Sequence, residues 1–391
     1  MTSTNNQESS AVDEHLSAFQ SPEVSQEVQN LIEILSQGKR VFLLGAGISK
    51  CAGLPLMGDL TEQVKKKVDD DENVKTVLNH IENQYDGSGI SNIEDYLSDI
   101  VDNISILERR YLKNSNSISL DIGDSSYDHE RLTYVLNVLK GNIKEIISKD
   151  DVDLSIHRRF ISNVHNRLLM GKDTVSSFTD YFTLNYDTLL EDSLSLEQIP
   201  YSDGFKGGIS GWWDPNEFEE KNINARLFKV HGSIDWVLLD DDSYPKRVRP
   251  KLNIKENKQS VLIWPASTKY REAQRDPHAQ MIDYFRKSLK FTHNIPVTLT
   301  IIGYSFGDAH INYEIDRSIR ESGGNLTVNI FTHNDKPEGK VEEWYNDTEI
   351  NEQIRIYSNK GFYHANHVIH QENDLPWWKF EDLTELLGGV K

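Results

Sequence analysis

The stretch that decides the fold is residues 41–55, VFLLGAGISKCAGLP. Its first residues are apolar and have the length of a buried parallel strand, and they run directly into Gly45-Ala46-Gly47. Glycines allow a tight turn and a close approach to a pyrophosphate, to which a following helix offers free N–H groups. The dinucleotide-binding fingerprint G-x-G-x-x-G would need a third glycine where this chain has Lys50. The turn alone therefore leaves nucleotide binding and an ordinary strand-to-helix turn equally open.

Further apolar, β-branched segments predict more strands of the same kind, and each ends in a Gly, Asn, Asp or Ser turn. These segments are residues 181–184, 226–230, 261–264, 297–302 and 326–331. Helical periodicity occurs at residues 21–37, 93–112, 131–148, 157–170 and 188–195. Strands that alternate with helices predict an α/β, Rossmann-like fold with a parallel sheet and helices on both faces.

The organisation along the chain is predicted to be one interrupted domain. Residues 58–172 contain helical patterns and a polar loop but no strong strand signal, so we expect a large helical insertion. It interrupts a nucleotide-binding domain spanning residues 21–335. Residues 1–20 are expected to be disordered, and residues 336–391 to form a C-terminal tail.

Composition and charge exclude several classes of function. The chain has 391 residues with a formal net charge of −20, which argues against nucleic-acid binding by this chain alone. One cysteine excludes a disulfide framework and a zinc ribbon of paired thiols. No apolar run is long enough to span a membrane, and the polar N-terminus lacks the apolar region of a signal peptide. We expect a cytoplasmic protein.

Polar residues at the ends of three predicted strands are the candidate site. Asn185 and Asp187 can orient a carboxamide, a ribose hydroxyl or a water, or they can simply cap the next helix. His231 can act as a general base near neutral pH, or it can be a hydrogen-bonded loop histidine. Gly303 and Ser305 can contact a ribose or phosphate, or they can form a plain turn.

Two other clusters favour simpler interpretations. His364, His367 and His370 are spaced so that they could approach one metal ion, but no cysteine or clear carboxylate accompanies them. The basic segment 244–258 can contact a partner or nucleic acid, although a solvated loop is the better interpretation. We expect no metal site.

Taken together and in this order, GAGIS with GLP, the Asn-Tyr-Asp turn, the His-Gly turn and the Gly-x-Ser turn resemble the NAD-binding core of sirtuins. The resemblance covers roughly residues 35–60 and 175–335. It implies that His231 is the catalytic base, that Asn185 and Asp187 line the nicotinamide and ribose pocket, and that Gly303 and Ser305 touch the adenosine half. The phosphates would be held by Gly45, Ala46, Gly47 and Ser49.

Departures from the protein-deacetylating sirtuins narrow the resemblance. Their zinc module carries four cysteines, whereas this chain has one, and Leu184 stands where their second motif usually has Gln. The motifs TLNYD, KVHGSIDW and IIGYSFGDAHIN are similar instead to bacterial sirtuin-like NAD hydrolases of antiphage defence. That resemblance implies cleavage of NAD to nicotinamide and ADP-ribose, which would deplete NAD in an infected cell and stop its growth.

The same resemblance implies partners. Members of this group work in larger assemblies, so we expect a homo-oligomer with a partner such as a HerA-type ATPase and, as a weaker alternative, a short Argonaute. Two other functions stay open from the sequence. One is transfer of ADP-ribose to a macromolecule, and the other is a non-catalytic NAD-sensing scaffold subunit.

Overall fold

The computed structural model describes residues 18–84, 92–113, 118–168, 178–238, 244–248, 277–292 and 295–389, and the backbone of 260–263. The helices of these residues are α1 (Pro22–Leu35), α2 (Met57–Lys67), α3 (Glu72–Glu82), α4 (Ile93–Leu112), α5 (His129–Ile147), α6 (Ser155–Ser162), α7 (Leu189–Leu196), α8 (His278–Ser288), α9 (Ala309–Glu321), α10 (Gly339–Asn346) and α11 (Phe380–Leu387).

The strands of the main sheet are β1 (Lys39–Leu44), β4 (Thr179–Thr183), β5 (Tyr201–Ser202), β8 (Ala225–Lys229), β12 (Val297–Ile302), β13 (Leu326–Phe331), β14 (Ile354–Ser358), β15 (Gly361–His364) and β16 (His367–His370). The remaining strands are β2 (Ser119–Ile122), β3 (Ser125–Asp128), β6 (Phe205–Gly207), β7 (Gly211–Trp213), β9 (Gly232–Leu238), β10 (Lys246–Arg247) and β11 (Ser260–Ile263).

The main sheet has the strand order β16-β15-β14-β13-β12-β1-β4-β8-β5. Strands β14 to β5 in this order pair in parallel, and the β15–β16 hairpin adds an antiparallel edge. The order β8-β4-β1-β12-β13-β14 is that of a doubly wound sheet, in which the chain direction across the sheet reverses between β1 and β12. The predicted α/β, Rossmann-like fold is confirmed.

Alternation along the buried strands explains why helices cover both faces. In β1, Val41 and Leu43 point into one apolar core, and Phe42 and Leu44 point into another. Helices α8, α9 and α10 pack on the first face, and α1, α6, α7 and α11 pack on the second. Among the helices of the described ranges, none is long and apolar enough to cross a membrane.

The insertion has its own apolar core, built mainly from α2 to α5. It is not free of strands, because β2 and β3 pair as an antiparallel hairpin within the segment that we interpreted as a polar loop. Gly123 turns the hairpin with φ +59°, and Ile122 and Tyr127 are buried. The strands are only four residues long, so their period-two pattern is too short to stand out in sequence.

The strand predicted at residues 261–264 is real but lies in a different sheet. Strand β11 pairs antiparallel with β9 in a second sheet of order β11-β9-β10-β7-β6. Strand β9, which follows His231 directly, was not predicted at all. Apolar runs indicate strands but not their partners, so the assignment of 261–264 to the parallel sheet was wrong.

The C-terminal segment contributes to the main sheet. Strands β14, β15 and β16 come from residues 336–391, and Trp377 of this segment is fully buried. Phe19, inside the segment predicted to be disordered, is buried with its ring centroid 5.8 Å from that of Trp377. Residues 1–17 lie outside the described residues.

Candidate functional site

The candidate site lies at the carboxyl edge of the parallel strands. Gly45 follows β1, Asn185 lies two residues after β4, and Gly303 follows β12. Strand β1 lies between β4 and β12, so the three turns are neighbours at the point where the strand order reverses. Open α/β sheets bind their ligands at this place.

The glycines of the first turn allow two loops to touch. The Gly47 N–H donates to the Gly303 carbonyl oxygen at 3.0 Å. A Cβ atom at position 45 would lie 2.4 Å from the Gly303 oxygen, and one at position 47 would lie 2.6 Å from the Gly303 Cα. Gly303 itself has φ +66°. The sequence predicted phosphate contact for Gly45 and Gly47 and contact with the adenosine half for Gly303, but it did not reveal that the two loops pack together.

The segment after Gly45 is a 3-10 helix over Ala46–Ala52, which includes Gly47. Ser49 is buried in it, Ala46 is partly buried, and Lys50, at the position of the missing third glycine, is exposed. The assignment of Gly45, Ala46, Gly47 and Ser49 to the phosphates stays a prediction.

Asn185 ties this segment to the end of β4. Its amide nitrogen donates to the Gly45 carbonyl at 3.1 Å and to the Ser49 hydroxyl at 2.8 Å. The Ser49 hydroxyl donates in turn to Asp187 at 2.7 Å. A carbonyl can only accept, so the Gly45 contact fixes the orientation of the amide and leaves its Oδ1 as an acceptor. Asp187 also accepts from the N–H of Leu189, the first residue of α7, at 3.2 Å, although the N-cap position of that helix is Thr188.

A buried lysine, Lys229, donates hydrogen bonds to the backbone of the turn between Asn185 and Asp187. Lys229 is 1% exposed, and its Nζ lies 2.9 Å from Glu191 and donates to the carbonyl oxygens of Tyr186 and Asp187. Burial lowers the pKa of Lys229, but the carboxylates of Glu191, Asp235 and Asp187 outweigh it and raise the pKa above its ordinary value. Lys229 therefore carries a full charge. Its signal in sequence is a charged residue inside the apolar run RLFKV.

His231 follows β8 and is 2% exposed. Its Nε2 lies 3.7 Å from Oδ2 of Asp308, the residue before α9. Asp308 stands at the N-cap position, yet its side chain makes no capping hydrogen bond to the helix. The ring of His310 lies beside His231, with centroids 6.3 Å apart. A carboxylate next to an imidazole orients the ring and stabilises its protonated form.

The loop that carries Asp308 is fixed by its own side chains. The Tyr304 hydroxyl accepts from the Asp308 N–H at 3.1 Å and lies 3.1 Å from Oδ1 of Asn312. The Asn312 amide donates to the Phe306 carbonyl at 2.7 Å. Phe306 has φ +60°, a conformation that a non-glycine residue keeps only where its surroundings enforce it. Ser305, on the same loop, is exposed.

The helical insertion also reaches the site. The Tyr186 hydroxyl donates to Glu94, in the first turn of α4, at 2.7 Å. Burial and the carboxylate of Glu94 raise the pKa of Tyr186 well above its ordinary value, so the hydroxyl keeps its proton. The turn between Asn185 and Asp187 is thereby attached to both the sheet and the insertion.

The structure does not bring the other histidine motif together as a metal group within the described ranges. His364 contacts the Ile354 carbonyl at 2.9 Å, and His367 lies 3.3 Å from Glu27. His370 stacks edge-on against Tyr363. Of the basic segment 244–258, only residues 244–248 are described, and Arg247 there pairs with Asp203. The remainder lies outside the described residues.

Sequence reasoning missed Asp308 and His310, although the motif that contains them was recognised. Both follow the Gly-x-Ser turn at the carboxyl end of β12, as Asp-Ala-His. The rule that selected Asn185 and His231, polar residues at the carboxyl ends of parallel strands, applies equally to them.

The profile of the SIR2-like domain family matches residues 179–354. The match includes the strands that position Asn185, Asp187, His231 and Gly303, and it supports a sirtuin-like family with chemistry related to NAD. Domains of this family are NAD-dependent enzymes. No curated protein matches the chain.

Proposed function

We propose that this protein is an NAD hydrolase, which cleaves NAD⁺ with water to nicotinamide, ADP-ribose and a proton. The observation that carries the proposal is the arrangement at the sheet edge. His231, paired with Asp308, and the hydrogen-bonded Ser49, Asn185 and Asp187 follow neighbouring strands at the switch point. The SIR2-like match over 179–354 supports NAD as the substrate.

The chemistry of the side chains fits NAD. The Asn185 amide and the Asp187 carboxylate suit a carboxamide and the hydroxyls of a ribose, which are the polar groups next to the bond that breaks. The Ser49 hydroxyl is the hydrogen-bond link between them. Gly45 and Gly47 allow the first turn to pack directly against the backbone of Gly303, at the edge of the sheet where these side chains lie.

The reaction needs a base but no strong acid. When the bond between ribose C1′ and the pyridinium nitrogen breaks, the electron pair goes to the ring, and nicotinamide leaves as a neutral molecule. The ribose develops positive charge, which the Asp187 carboxylate can stabilise. Asn185 Oδ1 can accept a hydrogen bond from the attacking water, and His231 can accept the proton that this water loses. Asp308 acts as a positioning residue, because it orients the imidazole and stabilises it once protonated.

The first test measures NAD consumption by the purified full chain and by the variants His231→Ala and Asn185→Ala. Loss of a general base typically costs 10²–10⁴-fold in rate, so we expect cleavage to fall to background in His231→Ala. Thermal unfolding should show that both variants stay folded. The matched control is His129→Ala, since His129 is half exposed and lies in the insertion. NAD that remains intact under all conditions, with and without candidate activators, would contradict the proposal.

Analysis of the products distinguishes hydrolysis from the two other functions, ADP-ribose transfer and NAD sensing. A transferase would leave labelled ADP-ribose on a macromolecule rather than free in solution. A sensing scaffold would bind NAD without turnover, and His231→Ala would leave that binding unchanged.

We further propose an effector role in antiviral defence, as a homo-oligomer with a HerA-type ATPase or, less favoured, a short Argonaute. The support for this role is the motif resemblance given above. Co-expression with such an ATPase should lower cellular NAD after phage infection and protect the culture, and His231→Ala should abolish both effects. Unchanged NAD and unchanged protection would count against this role while leaving hydrolysis to the purified-protein assay.

A further inference from the structure

Three side chains on the His231 side of the site lie close together, and all three are of types that commonly bind metal ions. His231, Asp308 and His310 each offer one ligand atom, and these atoms all lie within 4.8 Å of one another. Nε2 of His231 lies 3.7 Å from Oδ2 of Asp308. Within the described ranges, no other group of three His, Cys, Asp or Glu side chains meets this spacing.

The donor set is one that transition metals prefer. Two imidazole nitrogens and one carboxylate oxygen form three-ligand sites for Zn²⁺ and for non-haem Fe²⁺. With metal–ligand bonds of about 2.0–2.2 Å, tetrahedral ligands lie roughly 3.3 Å apart. The His231–Asp308 separation is already close to that value, and the ligand atom of His310, which lies within 4.8 Å of the other two, needs to approach them by at most about 1.5 Å. Three protein ligands leave one position open to water or another ligand.

The backbone fixes the positions of Asp308 and His310 in the absence of an ion. Asp308 and His310 flank the first residue of α9, and the Tyr304 hydroxyl fixes the Asp308 backbone. The Asp308 carboxylate does not cap its helix and instead faces His231. A ligand set on a rigid loop and helix start loses less freedom on binding an ion than one on a mobile segment.

A third imidazole lies beside the group. The ring centroid of His278 is 6.3 Å from that of His310, and its Nδ1 lies 2.8 Å from the Val230 carbonyl. Because a carbonyl only accepts, Nδ1 carries a proton, and in the neutral ring the lone pair is then on Nε2. This tautomer is the one in which a histidine can serve as a metal ligand through Nε2.

We propose that His231, Asp308 and His310 form a binding site for a divalent transition-metal ion of the Zn²⁺ class, and that ion binding switches off the proposed NAD cleavage. The switch rests on the proposed function, because a metal ion on Nε2 of His231 occupies the lone pair that would accept the proton from water. Binding of the ion does not depend on that function and can be tested alone.

The binding test uses zinc itself and no NAD. The full chain is treated with a chelator, dialysed and titrated with Zn²⁺ against a chromophoric zinc chelator. We expect one Zn²⁺ per chain, and an affinity at least tenfold lower in His310→Ala and in Asp308→Asn. His310→Gln gives a second variant of similar size in case His310→Ala unfolds, and circular dichroism checks the fold of each. Replacing zinc by Co²⁺ should give the intense visible bands of a tetrahedral site, and these should disappear in His310→Ala.

The matched control is His364→Ala, which removes a histidine from the β15–β16 hairpin. It should bind zinc as the unchanged protein does. Zinc binding that is weakened by His364→Ala but not by His310→Ala would overturn the proposed site, as would a stoichiometry well below one.

The inhibition test follows NAD cleavage in metal-free buffer with added Zn²⁺. Zinc should inhibit in step with occupancy of the site, a chelator should restore the rate, and any cleavage left in His310→Ala should need at least tenfold more zinc for inhibition. Zinc that binds without inhibiting overturns the switch but not the site. A protein that cleaves no NAD overturns the proposed function, and the zinc titration still decides whether the site exists.

Discussion

The two sides of the candidate site are built differently. On the Asn185 side, consisting of Ser49, Asn185 and Asp187, a chain of hydrogen bonds of 2.7–3.1 Å joins the side chains to one another and to the Gly45 carbonyl. On the His231 side, consisting of His231, Asp308 and His310, the possible ligand atoms lie within 4.8 Å of one another, and Nε2 of His231 is 3.7 Å from Oδ2 of Asp308, beyond hydrogen-bond distance. On this side, hydrogen bonds with Tyr304 and Asn312 fix the backbone of the loop that carries Asp308.

We infer from this difference that the two sides have different roles in catalysis. Side chains that are already joined by hydrogen bonds, as on the Asn185 side, can hold a substrate in position without changing their own conformation. Two titratable groups whose atoms lie 3.7 Å apart, as those of His231 and Asp308 do, can pass a proton or bind a metal ion between them. Positioning is therefore expected on the Asn185 side and proton transfer on the His231 side.

Asp308→Asn tests this division most strongly. We expect kcat for NAD cleavage to fall about a hundredfold with little change in KM, because the neutral amide, unlike the carboxylate, does not stabilise the protonated imidazole. The limb of the pH–rate profile that reports on His231 should move to lower pH, since a neighbouring anion favours the protonated ring.

The control for this substitution is Asp374→Asn, which removes an exposed carboxylate that pairs with Lys360 at 2.7 Å outside the site. It should leave kcat and the profile unchanged. If Asp308→Asn raises KM and leaves the pH–rate profile where it was, Asp308 serves substrate binding or folding, and the assignment of proton transfer to its side fails.

The sequence predicts the main sheet better than the rest of the fold. Strands β12 and β13 begin and end where the apolar runs 297–302 and 326–331 predict, because a strand buried on both faces is a continuous apolar run. Strand β9 and the β2–β3 hairpin were missed, since short or mixed strands carry no such run. Strand β11 was assigned to the wrong sheet because pairing is decided by contacts between distant segments.

The same distinction applies to the site. Asn185, Asp187 and His231 could be selected because each follows a recognisable strand. Their partners could not be assigned, because the sequence does not show that Asp308 faces His231 or that Lys229 donates to the Asp187 carbonyl. A Lys in a strand and an Asp before a helix have common structural roles, and only the fold shows that these two point into the site.

A buried histidine next to the Asn185 side makes the stability of the protein depend on pH. His157 of α6 is fully buried, and this burial lowers its pKa to about 4, although the carboxylates of Asp187 and Asp153 oppose the shift. The unfolded chain takes up this proton near the ordinary value of 6.5, whereas the folded chain does so only near 4. The stabilising contribution is therefore complete above 6.5 and is lost as the pH falls towards 4.

We expect His157→Leu to remove this dependence. Between about pH 7 and pH 5, the free energy of unfolding should fall by about 2 kcal/mol less in the variant than in the unchanged protein, as measured by urea unfolding. His129→Leu, at a half-exposed site, is the control and should keep the original slope. Equal slopes in all three proteins would mean that burial does not lower the pKa of His157.

The smallest expected effect comes from the hydroxyl that joins the Asn185 side. Ser49→Ala removes the atom that accepts from Asn185 and donates to Asp187, and it should lower kcat/KM about tenfold. Asp187→Asn should have a larger effect, because the charge that stabilises the ribose is lost as well. If the side acts as one unit, the double variant should be no worse than Asp187→Asn alone, since the link is already weakened. Losses that simply add would show that Ser49 and Asp187 act independently, and the contrast between the hydrogen-bonded Asn185 side and the His231 side would then not hold in function.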